Sequence, residues 1–118
     1  MKALVIEDDP RVRPLMVLLL KPLGFDSIGT DSVAEGKALL AAETFDLVVT
    51  DFNLPDGTAL DIIEEVRRLG LTAKVLCVSG GGDSGYNATA VRSRGVSFLQ
   101  KPFLVPKFKE TIEALCKR

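Results

Sequence analysis

The feature that most constrains the fold is a fivefold alternation of short apolar runs with longer amphipathic segments. The runs contain few polar residues on either side, which is typical of strands buried on both faces of a parallel sheet. In the segments between them, apolar residues recur at helical spacing. We therefore predict an α/β fold with a doubly wound, five-stranded parallel sheet and five helices. The predicted strands span residues 2–6, 25–29, 45–50, 74–78 and 96–100.

Cap and turn residues between the runs support this alternation. Asp9, followed by a proline, predicts the start of the first helix, and Pro14 is expected to cost this helix a hydrogen bond or to kink it slightly. Residues 32–35 fit a capping box at the start of the second helix. The fourth helix, predicted over residues 86–94, contains several poor helix formers, so we expect it to be short and mobile.

The composition restricts the classes of function. With 118 residues and a net charge of −1, the chain has the size of one domain and no basic excess for binding nucleic acid. It contains no histidine, and Cys77 and Cys116 are too far apart to form a typical metal motif. The longest apolar stretch, residues 15–20, is too short to cross a membrane. We expect a cytoplasmic protein without a signal peptide, in which residues 1–118 form one domain.

Polar residues follow four of the five predicted strands, at the point where each strand ends. Glu7 and Asp8 follow the first strand, Asp51 the third, Ser79 the fourth and Lys101 the fifth. Each residue alone would be an ordinary charge or hydroxyl at a loop end. In a parallel α/β sheet, however, the carboxyl ends of the strands form one ligand-binding edge. We therefore expect these five side chains to converge.

Three carboxylates placed together repel one another unless a cation neutralises them. A set of oxygen ligands without histidine or thiolate favours a hard ion, and an open, partly hydrated site favours Mg²⁺ over Ca²⁺. Asp8 and Asp51 would be direct ligands, with Glu7 acting through a water and the turn after Asp51 offering a backbone carbonyl. A metal ion, Lys101 and Ser79 around a carboxylate are the groups that phosphoryl transfer needs, with Asp51 as the nucleophile.

These residues lie in stretches that together resemble the receiver domain of two-component response regulators over nearly the whole chain. The resemblance implies the flavodoxin-like fold with strand order 2-1-3-4-5. The matching stretches are LVIEDD at 4–9, DLVVTDFNLPDG at 46–57, VSG at 78–80 and FLQKPF at 98–103.

The resemblance also implies a role for each site residue. Asp51 would be the phosphoacceptor, and the carbonyl of Asn53 would join the acidic pair and Asp51 as a ligand of magnesium, with Mn²⁺ as an alternative ion. Ser79 and Lys101 would be the switch hydroxyl and the site lysine. Phe98 would be the switch aromatic that moves inward when the hydroxyl turns toward the phosphoryl group. The peptide bond that follows the lysine would be cis.

A protein of this kind would be a phosphorylation-dependent switch. The implied partners are a sensor histidine kinase or a histidine phosphotransfer protein and a downstream target protein that binds the face formed by helix 4, strand 5 and helix 5. We expect no enzyme activity beyond self-phosphorylation from small phosphodonors and self-dephosphorylation, no nucleic-acid or membrane partner, and a monomer or a weak phosphorylation-linked dimer. The glycines at 80–82 and the poor helix start at 104–106 lead us to expect that this face is mobile and orders on phosphorylation or partner binding.

Other functions remain open at this point. A phosphohydrolase of the haloacid-dehalogenase type also uses an aspartyl nucleophile with Mg²⁺, but its general acid lies two residues after the nucleophile, where this chain has Asn53. A degenerate receiver would bind partners without phosphorylation, although every expected site residue is present here. The chain could also be the receiver part of a larger hybrid protein, and a stand-alone protein is the simpler interpretation.

Overall fold

A computed structural model describes residues 1–80 and 84–116. Five parallel strands form one sheet in the order β2-β1-β3-β4-β5, which confirms the predicted doubly wound α/β fold and its strand order. Two further strands of two residues each, Asn53–Leu54 and Gly57–Thr58, form a short antiparallel hairpin directly after β3. The main strands are β1 (Lys2–Ile6), β2 (Asp26–Thr30), β3 (Leu47–Asp51), β4 (Lys74–Ser79) and β5 (Ser97–Gln100).

The helices cover both faces of the sheet. Side chains of α1 and α5 pack on one face, and those of α2, α3 and α4 pack on the other, so the sheet separates two apolar clusters. The central strand β3 is fully buried from Leu47 to Thr50, which explains why its sequence is apolar on both sides. The helices are α1 (Val12–Leu20), α2 (Val33–Ala42), α3 (Ala59–Arg68), α4 (Ser84–Arg92) and α5 (Val105–Leu115), and a 3-10 turn, Lys21–Leu23, follows α1.

The first helix starts later than its sequence suggests. Although the regular helix begins only at Val12, Asp9 makes the contacts of the predicted cap. Its carboxylate accepts a hydrogen bond from the amide of Arg11 (2.8 Å), and its carbonyl accepts from the amides of Val12 and Arg13. The later start places Pro14 within the first turn of the helix. The amide of Arg13 already makes a helical hydrogen bond to Asp9, and Pro14 has no amide hydrogen with which to make the next one, which is the cost expected from the sequence.

The starts of α2 and α3 also differ from the sequence-based expectation. At α2, the Ser32 hydroxyl accepts from the amide of Glu35 (3.2 Å), but the Glu35 carboxylate accepts from the hydroxyl of Thr30, so only half of the predicted capping box forms. A complete capping box occurs at α3, where Thr58 and Asp61 bond reciprocally. The capping box at α3 fixes Thr58, the last residue of the hairpin that follows β3.

The fourth helix spans Ser84–Arg92, two residues earlier at each end than predicted. Of the triple-glycine segment, residues 81 and 82 lie outside the described part of the chain, and so does Asp83, so the expectation of a loose loop concerns residues that the structure does not describe. At α5, Leu104 occupies the N-cap without a side-chain hydrogen bond, as expected. Within residues 1–80 and 84–116, no helix has the length and apolar character needed to cross a bilayer.

Candidate functional site

Three acidic side chains converge at the carboxyl edge of the sheet. Glu7 and Asp8 follow β1, and Asp51 ends the neighbouring strand β3. One carboxylate oxygen from each residue lies within 4.8 Å of the other two. Glu7 is buried, with 2% of its surface exposed, whereas Asp8 is exposed and Asp51 is half-buried. The cluster therefore extends from the protein interior to solvent.

Lys101, at the end of β5, places its ammonium group among these acids. Its Nζ donates a hydrogen bond to Glu7 Oε1 (2.6 Å) and lies 3.6 Å from Asp51 Oδ2. Its backbone amide donates to the carbonyl of Ser79 (2.7 Å), which fixes the residue against the end of β4. The peptide bond between Lys101 and Pro102 is cis, as the sequence resemblance implies. A buried carboxylate is costly without a partner; Lys101 supplies the opposite charge for Glu7, and the other oxygen of Glu7 accepts a hydrogen bond from the amide of Asp9 (3.2 Å).

The electrostatic balance of the cluster is unfavourable for a third negative charge. Burial and, after it, the negative charge of Glu7 raise the pKa of Asp51 to about 6, against the opposing effects of Lys101 and the Phe52 amide. For Lys101, burial lowers the pKa, but the hydrogen bond to Glu7 and the charge of Asp51 outweigh this effect and hold the pKa above its usual value. One lysine therefore does not fully neutralise the carboxylates.

This donor set suits a hard divalent cation. All three groups are carboxylates, they converge within 4.8 Å, and neither a thiolate nor an imidazole lies among them. A second positive charge would relieve the repulsion that raises the pKa of Asp51. The exposed side of the cluster, at Asp8, leaves room for water molecules to complete the coordination of such an ion.

The other predicted site residues lie near this edge without touching the acids in the described contacts. Ser79 ends β4 and is buried, and its hydroxyl donates to the neighbouring carbonyl of Gly80 (3.4 Å). Asn53 is exposed and pairs with Thr58 in the short hairpin after β3. Their predicted roles, as a switch hydroxyl and as a carbonyl ligand, therefore depend on a state in which a ligand or a phosphoryl group is present.

Phe98 is partly buried and packs against the apolar cluster shared by α2, α3 and α4. The guanidinium of Arg92 lies over its ring, with Cζ 5.5 Å from the ring centroid, in the geometry of a cation–π contact. The ring is thus both a core residue and part of the outer face between α4 and β5. Its role as a switch stays a prediction.

Two residues that support the site were missed in the sequence. Arg13 of α1 donates from Nη1 to the carbonyl of Glu7 (2.9 Å), and its side chain passes over Gly29, where a Cβ would lie 3.1 Å from Arg13 Cγ. Asp56, in the hairpin after β3, accepts hydrogen bonds from two amides of α2. The sequence around Arg13 and Asp56 does not reveal these contacts, because the chain segments that they bind come close only in the folded protein.

Comparisons with known proteins identify the family. The model of the response regulator receiver domain matches residues 3–113. The chain belongs to this family. The receiver domain is 31% identical to the response regulator protein PilR of Pseudomonas aeruginosa over 94% of this chain, and 30% identical to the chemotaxis protein CheY of the same organism over the whole chain. Among solved structures, a response regulator receiver domain protein from Clostridium thermocellum covers 99% of this chain and 94% of its own at 26% identity, with a TM-score of 0.88.

The receiver domain matches different shares of its relatives. It covers 25% of PilR and 51% of the cell cycle transcriptional regulator CtrA of Caulobacter vibrioides, to which it is 28% identical, but 98% of CheY. The family assignment confirms the resemblance found in the sequence. It also favours the receiver interpretation over the phosphohydrolase of the haloacid-dehalogenase type.

Proposed function

We propose that this receiver domain is a phosphorylation-dependent switch that takes a phosphoryl group onto Asp51 from a sensor histidine kinase or a histidine phosphotransfer protein. The observation that carries the proposal is the convergence of Glu7, Asp8 and Asp51 at the carboxyl edge of a receiver-family sheet, with the ammonium group of Lys101 beside Glu7 and Asp51. Phosphorylation on aspartate is characteristic of this family.

The geometry distinguishes the two oxygens of Asp51. Oδ1 accepts a hydrogen bond from the Phe52 amide (2.9 Å), whereas Oδ2 lies on the side of Lys101. Oδ2 is therefore the better nucleophile: it forms the new bond to phosphorus while the bond between phosphorus and the donor histidine breaks and its electron pair returns to the ring nitrogen. Lys101 neutralises charge on the phosphoryl oxygens, and the hydroxyl of Ser79 donates a hydrogen bond to one of them.

A metal ion would be held by Glu7, Asp8 and Asp51 together with the carbonyl of Asn53, with Glu7 acting through a water. Mg²⁺ fits this oxygen donor set best, and Mn²⁺ is an alternative. When bound, the ion supplies the additional positive charge that a dianionic phosphoryl group needs beside three carboxylates.

The response would be read on the face of α4, β5 and α5. Ser79 and Phe98 lie on the adjacent strands β4 and β5, so movement of the hydroxyl toward a phosphoryl group frees space on the side where the ring packs. Inward movement of Phe98 would break its contact with Arg92 and change the outer surface that a downstream protein binds. Phosphorylation would therefore change the shape and the charge of this face.

The test is intact-mass analysis after incubation with acetyl phosphate and Mg²⁺. The wild type should gain one phosphoryl group, and Asp51→Asn and a sample with chelator should not. Asp26→Asn is the matched control, because Asp26 begins β2 at the opposite edge of the sheet and should leave the adduct unchanged. An adduct that persists in Asp51→Asn, or no adduct in the wild type, would contradict the proposal and favour a receiver that binds partners without phosphorylation.

A further inference from the structure

The carboxylate of Asp56 connects the hairpin after β3 to a distant helix. Its Oδ1 accepts from the amide of Val33 (2.8 Å) and its Oδ2 from the amide of Ala34 (3.0 Å). These amides belong to the first turn of α2, where backbone donors have no acceptor inside the helix. These two hydrogen bonds hold the pKa of the Asp56 carboxyl below its usual value, and the one from Ala34 has the larger effect. Asp56 therefore caps a helix that lies 23 residues earlier in the chain.

The next residue shows that the hairpin is also closely packed. A Cβ on Gly57 would lie 2.4 Å from Asp61 Oδ2 and 3.2 Å from Val33 Cγ2, so a larger residue would have to displace the Asp61 carboxylate and crowd the side chain of Val33. On the α3 side, Asp61 Oδ2 accepts from the amide of Thr58 (3.0 Å). Two helices thus fix the short segment that carries Asn53.

We propose that Asp56 is a positioning residue for the metal site. By tying the hairpin to α2, it holds the backbone carbonyl of Asn53 where it can complete the ligand set formed by the carboxylates. The inference rests on the proposed function, because it takes this carbonyl as a ligand. Residues that orient a metal ligand without touching the ion commonly change metal affinity by about 10- to 100-fold when they are replaced.

The chain offers a matched control for the effect on the helix. Ser32 caps the same first turn of α2 through the amide of Glu35, but it belongs to α2's own N-terminus and makes no hydrogen bond to the hairpin in the described contacts. Ser32→Ala and Asp56→Ala both remove a cap from α2, and only the second also releases the hairpin. Asp56→Asn separates the effect of the tether from the effect of the charge. It removes the negative charge but keeps one oxygen that can accept a hydrogen bond from one of the two amides.

The experiment follows backbone amides by two-dimensional NMR in the full chain, first without metal and then in a titration with Mg²⁺. Without metal, Asp56→Ala should accelerate amide exchange in residues 53–58, and Ser32→Ala should not. In the titration, Asp56→Ala should bind Mg²⁺ about tenfold more weakly than the wild type, with Asp56→Asn much closer to the wild type and Ser32→Ala unchanged. Thermal unfolding of each variant confirms that all samples are folded.

Each contrary result has a distinct meaning. If amide exchange in residues 53–58 is unchanged in Asp56→Ala, Asp56 does not tether the hairpin, and the inference fails whatever the Mg²⁺ affinity of the variant. Equal loss of Mg²⁺ affinity in Asp56→Asn and Asp56→Ala would assign the effect to charge, and equal loss in Ser32→Ala would assign it to the stability of α2; both would overturn the inference. If the hairpin loosens as expected but the wild type binds no Mg²⁺, the metal site of the proposed function fails, and the positioning role fails with it.

Discussion

Replacement of Asp51 by asparagine is expected to stabilise the metal-free protein. The carboxylate lies between the buried charge of Glu7 and the ammonium of Lys101, and the net effect of its surroundings is to raise its pKa from 3.8 to about 6. The folded protein thus resists the negative charge on this residue. Asparagine has nearly the same shape, carries no charge, and can still accept the hydrogen bond from the Phe52 amide.

The expected magnitude follows from the pKa. A difference between 3.8 and about 6 corresponds to about 3 kcal/mol, at about 1.36 kcal/mol per pKa unit. Because the carboxylate stands at an open edge where water screens its interactions, we expect about half of this gain, about 1.5 kcal/mol. A raised carboxyl pKa means that the folded state binds the proton more tightly, so wild-type stability falls as the pH rises from 3.8 to about 6. Asp51→Asn does not lose stability in this way. The difference in unfolding free energy between the variant and the wild type therefore grows between pH 3.8 and about pH 6 and stays constant at higher pH.

Urea unfolding followed by circular dichroism in the presence of chelator measures this difference. The free energies of unfolding of wild type and Asp51→Asn are compared at acidic and at neutral pH, with Asp26→Asn as a control that should show no such gain. Addition of Mg²⁺ should narrow the gap, because an ion that binds the folded wild type more tightly stabilises it more. An advantage that is absent at neutral pH, or equal at both pH values, would refute the electrostatic account of the site.

Three further outcomes follow from other contacts. Lys101→Met leaves the charge of Glu7 buried and unpaired, so the free energy of unfolding should fall by about 3 kcal/mol in chelator and recover partly in Mg²⁺; equal loss in both solutions would contradict this. Gly36→Ala should cost about 1–3 kcal/mol in thermal unfolding, because the new Cβ would lie 2.7 Å from a core isoleucine, whereas Gly85→Ala, with nothing within 4 Å, should cost nothing. Burial raises the pKa of the Cys77 thiol to about 12, so a thiol reagent should label it only after unfolding, and rapid labelling of the native protein would disprove its burial.

The order of strands and helices could be predicted because burial imposes a pattern on each element separately. A strand covered on both faces must be apolar on both, and β1 and β3 show this in their own residues. The carboxyl ends of such strands meet at one edge, so Glu7, Asp51 and Lys101 could be placed together before any distance was known. Predictions of this kind need only the local sequence and the topology.

Features that depend on partners distant in the chain could not be predicted in the same way. The capping role of Asp56 requires that its hairpin lies over α2, and the bond from Arg13 to the carbonyl of Glu7 requires a gap above Gly29. The regular part of α1 was predicted too early, because Asp9 makes the capping contacts and also closes a turn before Val12, and its own sequence does not say where that turn ends.

The ion pair between Lys101 and Glu7 has a consequence for how the site is filled. The folded protein already holds one cation among its carboxylates, and this cation is covalently part of the chain. A metal ion bound by Glu7 and Asp51 would therefore compete with an ammonium group for carboxylate oxygens, and its net affinity would be reduced by the interaction that it displaces. Each arrival of the metal would also release an amine beside Asp51, ready for the next anion that reaches the edge of the sheet.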